Sequence, residues 1–137
     1  MFGLVEGIHF LKPSAHLHFI VKAAIKNPPG PKDCHKISNL MEDLVEHVRM
    51  KVLSPAMTLY CDDEGNEGIT STVILTTSHS SMHIWNFPEP HFSVMQFDLY
   101  SCAPFTPQEV LEFLVDKFEV YNIAYKFLNR DDDLVWL

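Results

Sequence analysis

The sequence predicts an α+β fold, in which helices pack on one face of a mainly antiparallel sheet. Stretches rich in β-branched residues follow one another with short turns between them, and two helical apolar stripes interrupt the series. The chain has 137 residues, 47% of them apolar, which suits one domain, residues 1–137, with one hydrophobic core. The predicted element order is β-α-β-β-β-β-α-β.

The first half of the chain is predicted to form a strand, a helix and a second, short strand. Residues 16–24 have strand-like character, and a loop rich in proline and glycine follows at 27–32. Between residues 33 and 53 apolar side chains recur at spacings of three and four, which predicts one helix that Pro55 ends. Residues 57–61 are the predicted second strand.

The second half supplies most of the predicted sheet. Residues 69–77 are rich in β-branched residues and suit a buried strand, and further strands are predicted at 81–85 and 92–101. The sequence Thr-Pro-Gln-Glu at 106–109 is a capping box with proline at the first helical position, so a helix begins there. A last strand is predicted at 120–128.

Composition narrows the classes of function. The formal net charge is −8, and the ten basic residues form no cluster, so binding to nucleic acid is not expected. No apolar run is long enough to span a membrane, and residues 1–10 lack the basic start of a signal peptide. The cysteines are odd in number, which favours a reducing compartment, and we expect a cytoplasmic protein.

The segment that could carry chemistry reads TTSHSSMHIW and follows a predicted buried strand. Three hypotheses fit these residues before any family is considered. Ser78 could act as a nucleophile with His79 and His83, although no nucleophile-elbow motif is present. The two histidines face the same side of a strand and could bind a metal with His16 or His18. All of these histidines could also be ordinary strand residues held by hydrogen bonds.

The arrangement of these residues resembles a known family, the prokaryotic S-adenosylmethionine decarboxylase proenzymes. The core of that family reads E-S-H-x-x-x-H-T-W-P-E and is followed by a strand ending in D-x-F-T-C-G. The preceding stretch, residues 68–75, is similar to the family's G-V-S-G-V-V-x-I. The matching residues here are Ser78, His79, His83, Trp85, Pro88, Glu89 and the segment 97–102.

The resemblance implies a zymogen that cuts its own chain. The hydroxyl of Ser78 would attack the carbonyl of Thr77, and autocatalytic cleavage would give fragments 1–77 and 78–137, with a pyruvoyl group formed from Ser78. That ketone would form a Schiff base with the amino group of a small-molecule substrate and act as the electron sink when CO₂ leaves. The implied reaction is decarboxylation of S-adenosylmethionine in spermidine (polyamine) biosynthesis.

The same resemblance assigns roles to four further residues. His83 would be the base in processing, and Thr70 would supply a hydroxyl that assists it. Cys102 would donate the proton to the decarboxylated carbon, and Glu89 would bind the substrate. No metal is implied, and the processed chains are expected to form a homodimer in which each active site takes residues from both subunits.

The sequence departs from the family pattern at several positions. Thr77 replaces the glutamate before the serine, and Ala103 replaces the glycine after the cysteine. Ser71 replaces a glycine and is expected to crowd a close approach of the backbone. Phe87 occupies the place of the glutamate that binds the ribose, and Glu89 comes two residues late, so the ligand pocket is expected to be remodelled.

These departures leave two alternatives to S-adenosylmethionine decarboxylation. A basic amino acid such as ornithine or arginine needs no ribose contact, so the same chemistry could act on that smaller substrate. An unprocessed homologue would instead keep the fold and bind a small molecule or a partner without catalysis.

Overall fold

A computed structural model describes residues 16–131 and 135–137 of the chain. The prediction about residues 1–10 lies outside these ranges. The predicted α+β fold is confirmed, and the described chain adds one two-residue strand near its end. The elements are β1 (Leu17–Lys26), α1 (Cys34–His47), β2 (Val52–Cys61), β3 (Gly68–Leu75), β4 (Ser78–Trp85), β5 (Ser93–Ser101), α2 (Pro107–Lys117), β6 (Glu119–Asn129) and β7 (Val135–Trp136).

All the strand pairings in the described ranges are antiparallel, and the strand order is β2-β3-β4-β5-β1-β6-β7. The first strand is therefore inserted between β5 and β6. Leu17, at the start of β1, lies opposite Ser101 on one side and Asn129 on the other. Ser101 also lies opposite Ser78, the first residue of β4. Strands β1, β4, β5 and β6 therefore each begin or end at the same end of the sheet.

The sheet has one covered face and one open face. On the covered face, alternate side chains of the strands pack against α1 and α2 and form the apolar core. In β5, for example, Met95 and Phe97 are 0% and 2% exposed, whereas Gln96 between them is exposed. We call the opposite side the open face; on the described strands its side chains include His18, Ile20, Lys22, Met57, Leu59, Thr70, Thr72, Ile74, His79, Ser81, His83, Trp85, Gln96, Asp98 and Tyr100.

The predicted extent of the first helix is wrong at its C-terminal end. Helix α1 ends at His47, and Arg49 adopts a left-handed conformation with φ of 62°. Strand β2 then begins at Val52 and runs through Pro55 at the edge of the sheet, where its register shifts. Because edge strands tolerate a residue without an N–H, proline does not break this strand. The apolar spacing continued past the helix and concealed the turn.

The capping box of α2 forms as predicted. The carboxylate of Glu109 accepts the backbone N–H of Thr106 at 2.8 Å, and the Thr106 side chain accepts the backbone N–H of Glu109. Arg49 also donates to Glu109 at 2.5 Å, which connects the end of α1 to the start of α2. The hydrogen bond from Arg49 lowers the pKa of the Glu109 carboxyl to about 2, and the bonds from Thr106 act in the same direction.

Three hydroxyls connect α1 to the covered face of the sheet. Ser38 lies 2.7 Å from Thr58, and Thr58 lies 2.8 Å from Ser71, measured between side-chain oxygens. Ser71 is fully buried, so its hydroxyl is satisfied inside this chain of hydrogen bonds. The expected crowding at Ser71 is therefore not observed. The close backbone approach is at Gly68, where an added Cβ would lie 1.8 Å from the carbonyl oxygen of Ile84.

Neither helix in the described ranges is long and apolar enough to cross a membrane.

Candidate active site

The bond predicted to break lies in a tight turn between β3 and β4. Thr77 occupies the turn and Ser78 is the first residue of β4. The carbonyl oxygen of Thr77 accepts the backbone N–H of Cys102 at 2.9 Å. The hydroxyl of Ser101 donates to the Thr77 hydroxyl, also at 2.9 Å. The structure thus brings together the predicted residues Thr77, Ser78 and Cys102. The Thr77 carbonyl is held by a hydrogen bond from the residue that follows β5.

Ser78 itself has an unusual backbone conformation. Its φ is 136°, a region that residues with a Cβ rarely adopt. Conformations of this kind cost about 1–3 kcal/mol and persist only where the surroundings impose them. Here the surroundings are the pairing of Ser78 with Leu75 on one side and with Ser101 on the other. The strain lies directly on the C-terminal side of the Thr77–Ser78 bond.

A second group of predicted residues lies further along the same strands. Thr70 and His83 face each other across β3 and β4, and the Thr70 hydroxyl is 3.1 Å from Nδ1 of His83. The ring of Trp85 stacks against the imidazole, with 5.9 Å between centroids and 29° between planes. Trp85 in turn donates its indole N–H to Asn66 at 3.1 Å. The His83 ring is therefore held by a hydroxyl and by an aromatic ring.

Within one chain these two groups are not brought together. His83 is five residues from Ser78 on β4, which corresponds to about 16 Å along a strand. The side chain of His83 belongs to the open face, as do those of His79 and Ser81. An imidazole at this distance has no direct contact with the hydroxyl of Ser78 in the same chain.

Glu89, the predicted substrate-binding residue, lies apart from both groups, in the connection between β4 and β5. Its side chain is 70% exposed and its carboxylate is 3.8 Å from the ammonium of Lys26. That ammonium also lies 5.2 Å from the ring centroid of Phe92 and 5.6 Å from that of Tyr121.

A further cluster lies on the open face, at the same end of the strands as Ser78; sequence reasoning named its histidines as possible metal ligands but missed Arg130 and the contacts that it makes. We call it the Arg130 cluster; its members are His16, His18, His79, Asp98, Tyr100 and Arg130. Alternation in the predicted strand 92–101 indicated that Asp98 and Tyr100 share a face. The insertion of β1 beside β5, which brings in the histidines and Arg130, was not visible in the sequence.

The hydrogen bonds of the cluster fix the tautomer of His18. Arg130 can only donate, so Nδ1 of His18, 3.4 Å from the guanidinium, accepts. Nε2 therefore carries the proton and donates to Asp98 at 2.8 Å. His79 lies 4.0 Å from the same carboxylate. His18 thus lies between an anion and a cation.

An open groove of about 480 Å³ runs along the open face between the Arg130 cluster and His83. It is bordered by His18 and Asp98 on the side of the Arg130 cluster and by His83 on the other side. A small molecule in this groove would contact His18 and Asp98 of the Arg130 cluster and, at its other side, His83.

The metal hypothesis finds no support in the described residues, since they contain no group of three or more His, Cys, Asp or Glu side chains placed to hold a metal ion. Instead, His16 lies 3.2 Å from the Tyr100 hydroxyl, and His79 has its ring 5.8 Å from that of Tyr100, measured between centroids.

Comparison with known proteins agrees with the motif. The sequence profile described as S-adenosylmethionine decarboxylase matches residues 17–131. The chain is 26% identical over 114 residues to an S-adenosylmethionine decarboxylase proenzyme of Pyrococcus furiosus, covering 82% of this chain and 76% of the relative. It is also 26% identical over 103 residues to the proenzyme of Pyrococcus horikoshii, covering 74% and 68%. The chain belongs to the S-adenosylmethionine decarboxylase family.

Proposed function

We propose that this protein is a pyruvoyl-dependent decarboxylase that processes itself between Thr77 and Ser78. The observation that carries the proposal is the hydrogen bond from the Cys102 backbone to the Thr77 carbonyl, next to the strained φ of Ser78. A donor aimed at a carbonyl oxygen stabilises the negative charge that develops there during nucleophilic attack.

The processing chemistry follows from these positions. The Ser78 hydroxyl adds to the Thr77 carbonyl carbon, the peptide C–N bond breaks, and an ester replaces the amide. Loss of the Cα proton of residue 78 then expels the Thr77 carboxylate, which separates the two fragments. Water adds to the dehydroalanine that remains, ammonia leaves, and a pyruvoyl group caps the second fragment. Strain at Ser78 raises the energy of the intact chain and so favours the first step.

A pyruvoyl group at this position would supply the electron sink for decarboxylation. The groove on the open face would hold the substrate, since it reaches from the Arg130 cluster to His83. Cys102 is half-buried and follows Ser101, which faces Ser78 across the sheet. Its thiol is the proposed proton donor to the carbon that loses CO₂.

The proposed site is completed by a second copy of the chain. His83 and Thr70 are about 16 Å from Ser78 of their own chain, so their proposed roles as processing base and assisting hydroxyl require the serine of a partner. The open face offers a surface for that partner. Three apolar side chains on this side, Met57, Leu59 and Ile74, are 66%, 66% and 52% exposed. Two open faces packed together would bury them.

S-adenosylmethionine is the proposed substrate, and a basic amino acid is the second candidate. The observation that favours the second is Phe87, which is 44% exposed where the family's ribose-binding glutamate is expected. Glu89 would have to leave Lys26 to replace that glutamate. Release of CO₂ from S-adenosylmethionine, ornithine and arginine, measured side by side, decides between them.

Cleavage is tested by the intact mass of the purified protein. We expect two masses, corresponding to residues 1–77 and to residues 78–137 with a pyruvoyl group at position 78. Ser78→Ala should give one uncut mass, whereas Ser81→Ala, a matched change on the same strand, should be cut like the wild type. A wild-type chain that stays whole after prolonged incubation contradicts the proposal and favours an unprocessed binding protein.

Action across two subunits is tested by mixing two inactive chains. Ser78→Ala retains His83, and His83→Ala retains Ser78, so a mixed dimer contains one complete site. We expect co-expression to restore cleavage of the His83→Ala chain alone. If co-expression restores no cleavage although mixed dimers form, the proposed contribution of His83 from the partner is wrong.

A further inference from the structure

We infer that Arg130 binds the carboxylate of the substrate, so that the Arg130 cluster distinguishes an α-amino acid from its decarboxylated amine. This inference rests on the proposed function and deepens it, because it names the part of the substrate that a residue beside the open-face groove would bind. It depends on the geometry of Arg130, on the charges around it and on its position relative to Ser78.

Arg130 is held in place at three points. Its backbone N–H donates to the carbonyl of His16 at 2.7 Å, which fixes the chain just after β6. Its guanidinium carbon lies 4.2 Å from the centroid of the Tyr100 ring, a stacking distance. One terminal nitrogen lies 3.4 Å from Nδ1 of His18. A guanidinium fixed in this way loses little side-chain freedom when it binds an anion.

The charges of the cluster leave room for an anion. Asp98 accepts from His18 and is not in contact with Arg130 in the described residues, where none of the ion pairs includes Arg130. A guanidinium has five N–H donors, and within residues 16–131 and 135–137 the hydrogen bond with His18 uses one of them. The remaining donors suit the planar, two-oxygen geometry of a carboxylate. Arg130 is exposed, so a ligand can reach it.

The cluster adjoins the residue that would become the pyruvoyl group. Tyr100, on which Arg130 stacks, faces His79 across β4 and β5, and their ring centroids are 5.8 Å apart. His79 directly follows Ser78. The guanidinium is therefore separated from the proposed reaction centre by two ring contacts on the open face.

The chemistry of decarboxylation gives this contact a specific consequence. The substrate carries the carboxylate that leaves as CO₂, and the product amine has lost it. An arginine that binds this group strengthens substrate binding and contributes nothing to binding of the product. Hydrogen bonds to charged groups of this kind correspond to roughly ten- to a hundredfold in affinity.

The test compares acids with their amines on the full-length protein. The probes are S-adenosylmethionine, ornithine and arginine, each with its decarboxylated form. Affinities are taken as KM for the acid and KI for the amine if the chain is cleaved and active, and as Kd by calorimetry if it is not. In the wild type, at least one acid should bind about tenfold or more tighter than its amine. Arg130→Ala should bring that ratio to within about threefold by weakening the acid alone, and Arg130→Lys should restore part of it.

Two matched controls keep the result specific. Lys117→Ala also removes a cation stacked on an aromatic ring, that of Phe113, but on the helix side of the sheet, and it should leave the ratio unchanged. Tyr100→Phe keeps the ring under Arg130 and should preserve the ratio, whereas Tyr100→Leu should reduce it.

A wild type without a preference for the acid, or a preference that survives Arg130→Ala, overturns the inference. The proposed function fails separately, by the mass of the chain: a chain that stays uncut but loses its acid preference in Arg130→Ala refutes self-processing and supports the carboxylate site. A chain that cleaves normally and has no such preference refutes the carboxylate site alone.

Discussion

The two faces of the sheet are built from the same strands, yet they differ in what surrounds each side chain. On β5, Phe97 and Leu99 are buried against the helices, while Asp98 and Tyr100, which alternate with them, lie on the open face. The covered face is apolar apart from serine and threonine hydroxyls, whereas the described part of the open face has histidines, cations and the carboxylate of Asp98. Substitutions on the covered face should therefore affect mainly stability, and substitutions on the open face should affect mainly the proposed chemistry.

The largest effect expected from an open-face change that leaves the fold intact is on processing. We expect His83→Ala to slow self-cleavage by about 10²–10⁴-fold, the contribution typical of a positioned acid or base. The fold should be retained, because the imidazole is only half-buried. Cleavage is followed by mass over time. His91→Ala, at an exposed histidine outside the sheet, is the control, and equal rates in the two variants would contradict the role of His83.

On the covered face the expected effect is on stability. Leu99→Ala should lower the free energy of unfolding by about 3 kcal/mol, because it leaves a cavity between the sheet and the helices. Gln96→Ala, three residues away on the open face, should change it by less than about 0.5 kcal/mol. Urea denaturation measures both. Similar losses in the two variants would show that the faces are not distinct.

The hydroxyl chain of the covered face should have a smaller effect. Ser71→Ala removes the hydroxyl that is bonded to Thr58 and should cost about 1–2 kcal/mol in the free energy of unfolding. Thr72→Ala, the next residue but exposed on the open face, is the matched control. A neutral Ser71→Ala would mean that the three hydroxyls do not stabilise the contact between α1 and the sheet.

The smallest expected effect concerns the ion pair of Arg49 and Glu109, which connects α1 to α2, and it depends on pH. The pKa of Glu109 is lowered to about 2 by Arg49, so the ionised carboxylate stabilises the folded state. This contribution is complete above the ordinary pKa of about 4.5 and is lost as the pH falls towards 2. Glu109→Gln should lower the free energy of unfolding at neutral pH. The loss should be only about 1 kcal/mol, because the side chain of Arg49 is 66% exposed and solvent weakens the ion pair. The difference from the wild type should vanish near pH 2 in thermal melts, while Glu112→Gln shows no such trend.

The sequence predicted the parts of the fold that depend on local pattern. Strand alternation and the capping box at Thr106 lie in contiguous residues, so the elements and the fold class follow from them. The end of α1 did not follow, because the left-handed turn at Arg49 has no glycine to indicate it and the apolar spacing continues to Val52. A proline inside an edge strand was likewise indistinguishable from a helix terminator.

The residues of the candidate site were predicted from the motif, but of their contacts the sequence indicates only those that are local to two strands. Thr70 and His83 were identified by motif, and their contact is a cross-strand pair. The contact of Cys102 with the Thr77 carbonyl and the stacking of Arg130 on Tyr100 depend on the lateral order of strands. The sequence does not encode that order in any short segment. The distance between Ser78 and His83 also needs the strand itself, since five residues are close in sequence and far apart in an extended chain.

Gly68 limits how this family member can diverge. A methyl group there would collide with the carbonyl oxygen of Ile84. Strands β3 and β4 are paired at this point, so their backbones cannot move apart without losing the hydrogen bonds between them. A slip of β3 by one position offers no alternative, because it would turn Thr70 away from His83 and towards the helices. In a saturation library selected for cleavage, position 68 should therefore accept glycine alone, whereas the outward positions around it accept many residues.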